Sequence, residues 1–108
     1  MIVHDRQVSA NAKTWWLYLL ACKDGRTYAG IALDVKARFE LHVSGKGAKF
    51  TRANPPKKIL AAASFPSRSE ALKAEYALKK LDRREKLKWA RTHAARARAQ
   101  RAQLTMDS

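Results

Sequence analysis

The 108-residue chain holds one cysteine, Cys22, and so can form neither an intrachain disulfide nor a cysteine-rich zinc site. Long apolar runs are absent too: none approaches the ~20 residues that a membrane-spanning helix needs. The first residues, "MIVHDRQVSANAKT", lack a basic segment followed by an apolar one, so no secretion signal is expected. Acids are scarce, 9 Asp and Glu against 23 Lys and Arg, which leaves a formal charge of +14. Such a surface repels itself and draws polyanions, with nucleic acid the first expected partner and an anionic membrane the second. The membrane reading is weak, because "RTHAARARAQRA" sets alanine where an interfacial helix needs bulky apolar anchors. These absences together point to a cytoplasmic protein with a nucleic-acid partner and no membrane. Glycine and proline are sparse, four and three in all, and two of each fall within "SGKGAKFTRANPPKK", which is therefore expected to be loop.

What remains is enough for one domain. A hydrophobic content of 46% over this length supports one core, and no internal repeat is present. "WWLYLLAC", residues 15–22, is apolar on both parities, as in a central strand covered on two faces. "KDGR" reads as a turn and "RTYAGIA" as a second strand, with "ILAAASF" (59–65) as a third. Asp34 stands as an N-cap before "VKARFELHV", where Val35, Phe39 and Val43 form a helical stripe. Ser67 with Glu70 makes a capping box for "EALKAEYALKKL", and Asp82 with Glu85 repeats it before a basic final helix. The expected fold is α+β: a small three-stranded sheet flanked by helices, with a basic C-terminal helix. Its divisions are a leader at 1–13, a folded domain at 14–88 and a basic helical extension at 89–108.

Two tyrosines flank the Asp-Gly turn. A two-residue turn would pair Lys23 with Arg26 and put Tyr18 and Tyr28 on opposite faces. A turn with Gly25 in the left-handed region would pair Leu20 with Tyr28, making the two phenols diagonal neighbours on one face. The sequence leaves both open. Arg38 and His42 lie four apart on one side of the following helix. Glu75 is flanked at helical spacing by Ala71, Leu72, Leu78 and Lys79, which half-wraps a carboxylate that then needs a partner cation or a metal. Lys79 at i+4 is the simplest partner. Lys46, Lys49 and Arg52 follow the helix of Arg38 and could touch nucleic-acid phosphates. Gly45 and Gly47 do not have the spacing of a Walker loop, so no nucleotide-triphosphate site is expected.

Taken in order, these elements resemble the GIY-YIG endonucleases. Tyr18 in "WLYLL" and Tyr28-Ala29-Gly30 in "RTYAG" match the paired signature, "DVKARFELH" matches the first helix, and "SEALKAEYALKKL" matches the helix with the metal-binding glutamate. The loop "SGKGAKFTR" is similar to that of the small stand-alone bacterial, YhbQ-like branch, and the likeness runs from about Trp15 to about Leu87. The first tripeptide lacks its glycine, Ala29 stands for isoleucine, and the asparagine of many members has no counterpart after Asn54. The resemblance implies a DNA endonuclease using one Mg²⁺ or Mn²⁺, with branched or damaged DNA, as met in DNA repair, as the expected target. In that role Tyr18 would act as general base or orient the attacking water, His42 would take its proton and Tyr28 would bind the water or the phosphate. Arg38 would hold the phosphoryl charge and Glu75 the cation. A nucleic-acid-binding module with weak or no catalysis on the same fold is the alternative.

Overall fold

The computed structural model describes residues 14–94, so the expected leader and the end of the basic extension lie outside the described residues. Three strands form one antiparallel sheet in the order β2-β1-β3: β1 is Trp15–Cys22, β2 is Thr27–Ala32 and β3 is Pro56–Phe65. Helices α1 (Val35–Val43) and α2 (Lys49–Ala53) lie between β2 and β3, and α3 (Arg68–Lys79) follows β3. A last helix, α4, runs from 83 to 94. This is the expected α+β class.

The apolar content of β1 explains its central place. Leu17 and Leu19 face one side, packing with Ala29, Ala61, Leu78 of α3 and Ala90 of α4. Tyr18 and Leu20 face the other, with Ala32 and Ala62 and with Val35 and Phe39 of α1. One strand thus serves two half-cores, as its apolar residues on both parities predict for a strand covered on two faces.

The hairpin register settles the choice between the two turns. Leu20 pairs with Tyr28 and Tyr18 with Gly30. Gly25 has φ +92°, a conformation open to glycine at little cost, and the turn closes with Gly25 N–H donating to Cys22 O. Tyr18 and Tyr28 therefore share a face. All three expected caps form: Asp34 accepts from Ala37 N–H, Ser67 from Glu70 N–H, and Asp82 from Glu85 N–H while Glu85 accepts from Asp82 N–H.

Three expectations need correction. Residues 44–58 are not all loop: α2 occupies Lys49–Ala53, where "KFTRA" contains no breaker between Gly47 and the Asn54-Pro55 stop. Strand β3 begins at Pro56 and not at 59; a proline is tolerated there because it opens an edge strand. The inward stripe of α1 is Val35, Phe39 and His42, while Val43 is 49% exposed. Positions i, i+4, i+7 lie on a helix face as well as i, i+4, i+8 do, and the imidazole takes the inner place because it finds polar partners there.

The hairpin turn is tied to the segment after α2. Asn54 Nδ2 donates to Asp24 Oδ1 at 2.6 Å, and Asp24 N–H donates to Asn54 Oδ1 at 3.2 Å. Lys23 N–H donates to Pro55 O, and Arg83 of α4 donates to Gly25 O. Asn54 is buried, so its amide has no water to fall back on. Asn54→Ala should lower the unfolding free energy by about 1–3 kcal/mol, read as a drop in the urea midpoint with the slope unchanged.

Candidate active site

The site is built on a buried chain of hydrogen bonds. Tyr18, in the central strand, is 1% exposed, and its Oη lies 2.9 Å from His42 Nε2. His42 is wholly buried, and its Nδ1 lies 2.7 Å from Thr51 Oγ1, also wholly buried. Thr51 Oγ1 donates to Ala48 O at 2.9 Å. That last bond assigns the protons. A hydroxyl has one hydrogen, and the carbonyl can only accept, so Thr51 must accept from Nδ1–H. Nε2 of the neutral imidazole then carries a lone pair, and Tyr18 donates to it. Two glycines make the room. A Cβ on Gly30 would meet Tyr18 Oη and lie 2.7 Å from its Cζ, and one on Gly47 would meet His42 Nδ1 and lie 2.9 Å from its Cγ.

Burial, reinforced by the neighbouring Tyr28, pushes the Tyr18 phenol up to about 12, against a smaller pull downward from Arg38. Burial, with the Arg38 charge adding to it, also holds the His42 imidazole below its ordinary value. Both groups are therefore neutral near pH 7. Tyr28 packs edge-on against His42, with ring centres 5.0 Å apart, and stacks on Phe50 of α2 at 5.9 Å.

In front of this chain lies an open depression of about 400 Å³ lined by Trp15, Tyr18, Tyr28, Gly30, Ile31, Arg38, Arg68 and Glu75. It does not sit on one face of the sheet. It wraps the free edge of β2, with Arg38 reaching it from α1 on one face and Glu75 and Arg68 from α3 on the other. The side chain of Glu75 is 15% exposed, and Lys79 Nζ stands 2.9 Å from its Oε2. Among the described residues no group of three or more His, Cys, Asp or Glu could hold a metal ion. A lone carboxylate beside open solvent suits Mg²⁺ or Mn²⁺, hard cations that keep most of their waters, and does not suit zinc.

Tyr18, Tyr28, Arg38 and Glu75 thus meet at one depression, with His42 directly behind Tyr18. Lys46, Lys49 and Arg52 do not line it; they are exposed along the connection after α1 and on α2. Sequence reasoning missed Thr51, whose place in an expected loop hid it. It also missed Arg68, and it gave Trp15 no place in a site.

Comparison with known proteins places the chain in a family. Residues 14–88 match the GIY-YIG catalytic domain. The chain belongs to the GIY-YIG family. It is 52% identical over 77 residues to a UPF0213 protein of Xanthomonas axonopodis pv. citri, covering 71% of this chain and 76% of the relative. A UPF0213 protein of Halalkalibacterium halodurans is 48% identical over 71 residues, covering 66% of this chain and 76% of that one. The solution NMR structure of the protein EF2693 from E. faecalis superimposes with a TM-score of 0.53 at 40% identity, covering 76% of this chain and 88% of that one. GIY-YIG membership places the fold among nucleases and makes nucleic acid the general class of substrate.

Because the folded chain holds His42 neutral, acid should destabilise it. The unfolded chain takes up this proton near the usual imidazole value of ~6.5, while the folded chain resists, so stability present above that pH is lost as pH falls toward the folded value. Urea midpoints measured from about pH 8 down to about pH 5 should fall more for the wild type than for His42→Gln, which cannot titrate.

Proposed function

We propose that this protein is a divalent-cation-dependent endonuclease. It hydrolyses a phosphodiester of DNA in the depression at the β2 edge, selecting branched, nicked or damaged DNA over a particular sequence. The observation that carries the reading is the bond between Tyr18 and the lone pair of His42 Nε2. A phenol raised to about 12 is ionised in roughly one molecule in a hundred thousand at pH 7, too few to serve as a base unaided. With the imidazole behind it, Tyr18 can take a proton from the attacking water as it passes its own to Nε2. Thr51, accepting from Nδ1–H, keeps the ring in the tautomer that leaves Nε2 free and supports the imidazolium that results.

Tyr28, on the same face, orients the water or the scissile phosphate. Arg38 offers planar N–H donors to the phosphoryl oxygens as negative charge builds on them. Glu75 holds Mg²⁺ or Mn²⁺, whose chemistry when bound is to offset charge on the leaving 3′ oxygen. Lys46, Lys49 and Arg52, with the basic residues from 89 onward, hold flanking phosphates without reading bases. Residues 14–88 are the nuclease unit, working in the cytoplasm in DNA repair.

One observation favours the second reading, a binding module with weak chemistry: Lys79 already neutralises Glu75. The two part on cleavage. Purified protein should nick supercoiled plasmid and a branched duplex with Mg²⁺ or Mn²⁺ and not with chelator. Glu75→Gln and Tyr18→Phe should each reduce the rate at least about a hundredfold while DNA binding stays within a few fold. Cleavage that survives Glu75→Gln, or tight salt-sensitive binding with no cleavage by any version, would refute the nuclease reading.

Thr51 has a signature of its own. Thr51→Val should slow cleavage roughly tenfold and move the acid limb of the pH–rate profile, while Thr51→Ser should restore both. In the wild type that limb should fall below the usual imidazole value of ~6.5, since the acceptor must be neutral to act.

A further inference from the structure

Arg68 opens α3 and Trp15 opens β1. The guanidinium carbon of Arg68 lies 5.7 Å from the centre of the Trp15 ring. Both residues line the same depression as Tyr18, Tyr28, Arg38 and Glu75. Neither is fully used by the fold: Trp15 is only partly buried, and among the described residues Arg68 is exposed and meets no carboxylate. We propose that Trp15 and Arg68 form a second subsite, which takes the phosphodiester next to the scissile one and the nucleoside attached to it.

This rests on the reading that DNA occupies the depression, and it adds what the rest of the strand touches. A guanidinium within cation–π reach of an indole is steered by the ring and keeps its planar fork of N–H donors free, a fork that grips a phosphate by two bonds. Charge argues the same way. Arg38 suffices for the single charge of one phosphodiester, and Glu75 is already met by Lys79, so Arg68 leaves the lining with a positive charge to spare. The adjoining phosphate of a DNA strand supplies the missing anion. The volume, about 400 Å³, falls within the ~300–1,000 Å³ of sites that hold small molecules the size of a nucleotide. Whatever ring surface Arg68 leaves open on the partly buried indole stacks on any base alike, so the subsite adds affinity without sequence preference.

The test is fluorescence anisotropy of a labelled branched DNA duplex with chelator present, over a range of KCl. It compares the wild type with Arg68→Gln, Arg68→Lys and Trp15→Phe. Arg84→Gln, an exposed arginine of α4 outside this depression, controls for the loss of one charge. Melting curves verify that each variant is folded. Arg68→Gln should weaken binding about tenfold and reduce the slope of log K on log salt by about 0.9, more on both counts than Arg84→Gln. Arg68→Lys should restore the slope but not the full affinity, because the charge returns without the planar fork of donors. Trp15→Phe should weaken binding roughly threefold with the slope unchanged. If Arg68→Gln behaves like Arg84→Gln, or Trp15→Phe binds like the wild type, the subsite is overturned while the nuclease reading stands. A wild type that binds no DNA overturns both.

Discussion

A wholly buried imidazole is the constraint around which this fold is arranged. Burying His42 is costly unless both ring nitrogens have partners, and each partner sets a condition on the chain. Nε2 needs Tyr18, so α1 must lie across the sheet face that β1 shares with it. Nδ1 needs Thr51, so a helical turn must form in a stretch whose composition reads as loop. Gly30 and Gly47 must stay bare, since a Cβ on either would collide with the phenol or the ring. The turn at Gly25 sets the register that puts Gly30, and not a larger residue, opposite Tyr18. The Asp24–Asn54 pair then fastens that turn to the end of α2, holding Thr51 and the hairpin in one frame.

Much of the scaffold was legible in the sequence because its signals are local. A strand apolar on both parities reads as covered on two faces, and side-chain caps marked where three helices start. The hairpin register was not legible, since Asp-Gly serves either turn and the choice depends on which faces the flanking strands bury. The inward turn of His42 was hidden by an apolar stripe that Val43 completes equally well on paper. Hydrophobicity favours valine there, and only the paired hydrogen bonds reverse the order. Thr51 carried no signal at all: nothing in "GAKFTRA" marks one hydroxyl as the partner of an imidazole nine residues earlier. Trp15 and Arg68 stand far apart in the chain, and only the packing of α3 on β1 brings them together.

The position of the depression follows from the three-stranded sheet. With β1 in the middle, β2 has a free edge, and the residue opposite Tyr18 on that edge has no side chain. Groups from both faces can therefore converge on one phenol, Arg38 from above and Glu75 from below. The cationic surface is a separate layer of the design. It draws polyanions over long range and falls off with salt, whereas the proposed chemistry rests on a few neutral, desolvated groups. A phenol raised to about 12 and an imidazole held neutral are each poor bases in isolation, and the proposed mechanism rests on the bond between them.

That bond has a direction, and the direction can be measured. The ¹⁵N chemical shifts of the His42 ring, recorded near neutral pH on histidine-labelled protein, report which nitrogen carries the proton. A protonated Nδ1 with a bare Nε2 is the predicted result, matching donation to Thr51 and acceptance from Tyr18. A proton on Nε2 would contradict the account, because the imidazole would then donate to Tyr18 and could not receive its proton.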